Sequence, residues 1–171
     1  YWARAPWPVG RAQWFHLGVT GVLMHAAYLG GVWAAVKAGM GAGTVALLVG
    51  LQPVLTALWL SSITSSDHAH AVTARQWSGL GLGLAGLILV VWRKLGVGEL
   101  TPWNLCLAFL ALIGITAGTL YQKRFVTRCD VRTANTTQLL AALLVSLPLA
   151  WAESEAMRWN ATLVAALLWS A

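Results

Sequence analysis

No aspartate, glutamate, lysine or arginine interrupts five long stretches of this sequence: Trp14 to Val36, Ala42 to Ile63, Gln76 to Trp92, Trp103 to Gln122 and Ala134 to Ala152. Charged residues make up only 9% of the chain and hydrophobic ones 58%, where a soluble domain carries about a quarter of its residues as charges. That scarcity excludes an ordinary water-soluble surface. The stretches approach or reach the roughly 20 apolar residues needed to cross a hydrocarbon core of about 30 Å. A sixth run begins near Trp159 and reaches the last residue. A backbone in lipid must satisfy its own hydrogen bonds, and the short alternating strands of a membrane barrel are not in evidence here. The expected fold class is therefore all-α, a polytopic transmembrane helix bundle.

Cysteine is scarce as well. Cys106 falls within a span and Cys129 in a loop, with no CxxC pair, so neither a disulfide nor a metal site is indicated and no cofactor is expected. Acidic residues number five, and none lies within a span. The net charge of +6 could suggest nucleic acid, but in a membrane chain basic residues chiefly set orientation, and no nucleic-acid partner is expected. The start of the sequence lacks a positive n-region and a cleavage site, so no signal peptide is expected, and both ends read as cuts through a longer protein.

Basic residues sort unequally between the two sides. Arg4, Arg11, Arg75, Lys123, Arg124, Arg128 and Arg132 fall on the side of the N-terminus, against Lys37, Arg93, Lys94 and Arg158 opposite. The excess predicts a cytoplasmic N-terminal side. The cluster KRFVTRCDVR, residues 123 to 132, carries most of that weight, and contact with an anionic lipid or a substrate phosphate is its alternative reading. Lys37 to Gly41 is short enough to be a bare turn, so consecutive helices are antiparallel neighbours. The loop SSITSSDHAHAVTAR, residues 61 to 75, is the exception. Its His68 and His70, with Asp67, make a weak metal site at most, and a solvated loop is the commoner reading.

Glycine is plentiful where it could mislead. Gly81-x-Gly83-x-x-Gly86 has the spacing of a dinucleotide fingerprint, but that motif has meaning only between a strand and a helix. Gly79, Gly83 and Gly86 instead line one helical face, as do Gly114 and Gly118, and such faces let helices approach closely in lipid. They serve packing within a chain as readily as a homodimer. Trp14, Trp77, Trp92, Trp103 and Trp159 stand at span ends, where the amphipathic indole prefers the headgroup level. Trp33 and Trp59 lie deeper and are candidates to line a cavity, with plain packing the commoner alternative.

The polar groups at mid-depth are few. His25 is the midpoint of the first stretch and Gln52 of the second, followed by Pro53. An ionisable residue at that depth is costly and reads as functional and inward-facing. Gly18, Gly21, His25 and Tyr28 share one helical face, which is small, then polar, then aromatic. Pro53 lacks an N–H and kinks its helix, leaving a polar side chain and a carbonyl near the midplane, as interrupted transporter helices do. The alternative is that His25 is an ordinary interhelical hydrogen-bonding partner and Pro53 a static kink. Thr116 lies near the middle of its span, although a threonine hydroxyl often bonds its own helix. Tyr121 and Gln122 abut Lys123 and suggest a mouth. Asn135-x-Thr137 and Asn160-x-Thr162 match the glycosylation pattern, which is common by chance.

The succession HAAYLGGVWAAVKAGMGAGTVALLVGLQPVLTALW, then RQWSGLGLGLAGLILVVW, then LIGITAGTLYQKRF resembles the drug/metabolite transporter superfamily, in particular its EamA-type permeases. The resemblance covers essentially the whole chain. It implies ten helices in two inverted five-helix repeats, of which residues 1–95 would be the last three helices of the first repeat. Residues 96–171 would be the first two helices and the start of the third of the second. The loop SSITSSDHAHAVTA departs from the family pattern, being longer and without a glutamate. By the resemblance, the chain is an exporter of small metabolites or amino acids in the cell's inner membrane, with the lipid bilayer and a small-molecule substrate as its partners. His25, Tyr28, Gln52, Pro53, Trp33, Trp59 and Thr116 are the expected substrate-binding residues, and no enzymatic activity is expected. The competing class is a membrane-embedded hydrolase. It would need a nucleophile beside His25, for which Ser78 and Cys106 are poorly placed. An inactive scaffold or truncated relic is the remaining alternative.

Overall fold

A computed structural model describes residues 5–63, 73–95, 99–127, 129–153 and 160–170. His68, His70, Trp159 and the centre of the 61–75 loop lie outside the described residues.

The regular elements among the described residues are all helical. The first stretch folds as α1 (Arg11–Gly21), a π-helical segment (Val22–Ala27) and α2 (Tyr28–Lys37) in continuous succession. The second is α3 (Ala42–Val49) and α4 (Gln52–Ile63), and the remainder are α5 (Ala74–Leu95), α6 (Pro102–Phe125), α7 (Val131–Trp151) and α8 (Ala161–Ser170). Among the described residues, five segments are long and apolar enough to cross a membrane: Arg11–Lys37, Ala42–Trp59, Ala74–Lys94, Pro102–Phe125 and Val131–Trp151. Each contains most or all of one uncharged stretch. The helices run past the apolar residues where local chemistry continues them. Thr101 and Asn104 form a reciprocal capping box ahead of α6. Asp130 caps α7, accepting the Arg132 N–H at 2.9 Å.

Helix α6 is the axis of the bundle, packed against α1, the π segment, α2, α3 and α4, while α7 packs on α1 and the π segment. The core at one end joins Ala35, Met40, Val45, Leu48, Leu87 and Ala108. Leucines such as Leu82, Leu89, Leu144 and Leu149 are exposed, as expected of side chains that face lipid. On the side opposite the N-terminus, Lys37 pairs with Glu153, so the C-terminal ends of α2 and α7 meet and the two run in the same direction.

The small residues behave unequally. A Cβ on Gly31 would lie 3.0 Å from Ala111 Cβ, and one on Gly114 would lie 3.1 Å from Leu23 O, so α6 approaches the first span closely at both points. A Cβ on Gly21 would collide with the Gln138 backbone of α7. The expected close approach along Gly79, Gly83 and Gly86 does not occur within the described residues, since a Cβ at each would meet nothing within 4 Å. Helix α5 has α3 as its principal neighbour, and its glycines point away from that contact.

Candidate functional site

A groove of about 1040 Å³ lies between α4 and the C-terminal half of α6. Leu55, Leu58 and Trp59 form one wall, and Ile113, Thr116, Ala117 and Leu120 the other. Ser62, Tyr121, Lys123, Arg124 and Phe125 line its end nearer the N-terminal side. The groove thus runs from a basic mouth toward mid-span. Two of the sequence-predicted binding residues, Trp59 and Thr116, line it. Trp59 is 55% exposed, while Thr116 is 7% exposed with its hydroxyl donating to Leu112 O at 2.7 Å.

The other predicted residues lie elsewhere. His25 sits in the π-helical segment, half-buried, where the first span packs on both α6 and α7. The Tyr28 N–H turns back to Leu23 O, closing the wider π turn, and its side chain is half-buried. π turns of this kind recur at functional positions. Gln52 opens α4, and its Nε2 donates to Thr119 Oγ1 on α6 at 3.1 Å. Pro53 is exposed beside it. The kink expected there is a full interruption at Gly50–Leu51, where the Leu51 N–H donates to Leu48 O at 3.1 Å in a tightened turn. Trp33 is 71% exposed on the outside of α2. None of His25, Tyr28, Gln52, Pro53 and Trp33 is among the residues lining the groove.

His16 is the functional candidate that sequence reasoning passes over. Its Nδ1 lies 2.7 Å from the Tyr121 hydroxyl, and its ring stacks on Phe125 at 5.3 Å between centroids. Tyr121 and Phe125 are themselves 4.6 Å apart, and the Arg124 guanidinium sits 5.7 Å from the Phe125 ring. His16 therefore backs the mouth of the groove through Tyr121. The signal in the sequence is a histidine near a span end, and its partner lies 105 residues away, beyond any local pattern.

On the opposite side, Glu99 ties two turns together. Its Oε2 accepts from Lys94 Nζ at 2.6 Å, and its Oε1 accepts from the Gly41 N–H at 2.8 Å and Thr44 Oγ1 at 2.9 Å. Lys94 first, then the Gly41 amide and the Thr44 hydroxyl, hold its carboxyl below the ordinary value of 4.5. The carboxylate also sits at the N-terminus of α3, where the helix dipole favours an anion. This cluster fixes the α2–α3 turn rather than presenting chemistry.

The Ser78 hydroxyl donates to Arg75 O on an exposed face of α5, and Cys106 is exposed on α6. Among the described residues, no three His, Cys, Asp or Glu side chains come together to hold a metal ion. No family model, curated protein or solved structure matches the chain.

Proposed function

We propose that this chain is part of a secondary transporter of the EamA type, multi-pass in the inner membrane, moving small metabolites by alternating access. The observation that carries the reading is the groove between α4 and α6, which leads from a basic mouth to Thr116 near mid-span. Two irregularities in neighbouring spans support it, the π turn at His25 and the interruption beside Gln52. Broken helices at depth are how transporters bring backbone and side-chain polarity to a substrate. In this reading Trp59 and Thr116 contact substrate in the groove. His25, Tyr28, Gln52 and Pro53 form the part of the path that rearranges, and Trp33 faces lipid. Residues 1–95 and 96–171 belong to successive inverted repeats, and the rearrangement moves one against the other.

The test is efflux from cells expressing the full-length protein, preloaded with a panel of labelled amino acids and metabolites, against cells expressing none. Faster loss of particular solutes supports the reading; loss identical to the control for every solute, with the protein shown to be inserted, overturns it.

A further inference from the structure

The groove between α4 and α6 is chemically one-sided. Its neutral polar groups are already engaged within the chain: Thr116 Oγ1 donates to Leu112 O at 2.7 Å, Ser62 Oγ to Trp59 O at 2.7 Å, and the Tyr121 hydroxyl is 2.7 Å from His16 Nδ1. The deeper walls are aliphatic and aromatic, with Leu55, Leu58, Ile113 and Leu120 around the Trp59 ring. Donors with spare capacity stand only at the mouth. Lys123 and Arg124 are exposed there, and neither forms an ion pair among the described residues. On the opposite side, Lys37 is paired with Glu153 and Lys94 with Glu99. Among the described residues, no carboxylate lines the groove.

These facts discriminate among ligands. An ammonium or zwitterion would meet uncompensated positive charge at the mouth and no counter-charge in the walls. A ligand polar along its whole length would bury groups without partners, which is unfavourable. An anionic head with an apolar body meets both conditions, the head on two cations and the body on apolar walls. A cavity of about 1040 Å³ also stands at the upper end of ligand sites, which run from about 300 to 1,000 Å³, so it takes a body larger than an amino-acid side chain.

We propose that the groove binds a single-chain amphipathic anion, with its apolar body along Leu55, Leu58, Trp59 and Ile113 and its carboxylate or phosphate head at Lys123 and Arg124. This names the substrate class of the transport site proposed above and rests on that reading.

The test uses purified full-length protein in phosphatidylcholine vesicles and a diazirine-bearing dodecanoate, with the methyl ester and trimethylammonium analogues of the same chain as comparison probes. Photolabelled positions are mapped by mass spectrometry. The carboxylate probe is expected to label α4 and the C-terminal half of α6, to be displaced by dodecyl phosphate, and to bind about tenfold or more weakly to the Lys123→Gln/Arg124→Gln variant. The charge-retaining Lys123→Arg/Arg124→Lys variant should bind as the unaltered protein does. Equal labelling of the groove by the ester or the trimethylammonium probe overturns the proposal, and this arm needs no variant to fold. Unchanged binding by the glutamine variant overturns it, as does displacement by phosphatidylglycerol added to the vesicles, which would make the groove a site for bulk lipid. Selective labelling in a protein that moves no solute sinks the transporter reading and leaves the anion site standing; transport without selective labelling does the reverse.

Discussion

Gly114 of α6 lies against the hydrogen bond by which Tyr28 closes the π turn: a Cβ on Gly114 would sit 3.1 Å from both Tyr28 N and Leu23 O. Two features that look independent in the sequence, a glycine face on one span and a polar midpoint on another, are thus one contact. The wider π turn brings backbone toward α6, and a Cβ at Gly114 would press against it.

Gly114→Ala should accordingly lower the stability of the bundle by about 1–3 kcal/mol, the usual cost of overpacking a close contact. Gly83→Ala is the control, because a Cβ there meets nothing within 4 Å; it should be neutral or stabilise by up to about 1 kcal/mol, as replacing a mid-helix glycine does. Thermal melting of the two purified variants in the same detergent distinguishes them. Equal melting temperatures would contradict the packing described.

The Gln52–Thr119 hydrogen bond at 3.1 Å joins α4 to α6 at the interruption of the second span. A double-mutant cycle with Gln52→Leu and Thr119→Val should return a coupling of about 0.6 kcal/mol, and at most about 1.7, the range found for side-chain hydrogen bonds between membrane helices. Strict additivity of the two substitutions would mean the bond contributes nothing.

Glu99 supplies a pH dependence on the side opposite the N-terminus. Its carboxyl is held below 4.5 by Lys94, the Gly41 amide and the Thr44 hydroxyl, so the folded state prefers the ionised form. That contribution is fully present above 4.5 and is lost as pH falls through the lower folded value. Melting temperature should therefore drop on acidification in this window, and Glu99→Gln should remove that part of the drop. A variant with the same acid profile as the unaltered protein would contradict the assignment.

His25 is half-buried in the π turn, where the first span packs on both α6 and α7. His25→Ala should impair transport or alter its pH profile while leaving membrane insertion intact. Efflux assayed across a pH series checks this, and an unchanged profile would remove His25 from the mechanism.

Much of the architecture was legible from charge alone. The five uncharged stretches coincide with the five spans because no ionised side chain is tolerated at depth, and the Lys37–Gly41 turn is as short as its sequence implied. The finer features were not legible, since they depend on pairs of helices. The π turn packs against Gly114 and Gly118, and the second span is interrupted at Gly50–Leu51, just ahead of Pro53. The groove combines α4 with α6, and of the deep residues singled out by type only Trp59 and Thr116 fall on it. His16 was hidden because its partner, Tyr121, is on another helix. The glycine face of α5 follows the small-residue pattern, yet the described residues place no helix against it.

The central claim is that solute passes along the groove between α4 and α6, and blocking that groove tests it most directly. Efflux would be compared for the full-length protein, for Ala117→Trp, which fills the groove, and for Leu144→Trp on an exposed face of α7. The account predicts transport by the unaltered protein and by Leu144→Trp, and its loss in Ala117→Trp at equal expression and insertion. Undiminished transport by Ala117→Trp would contradict it.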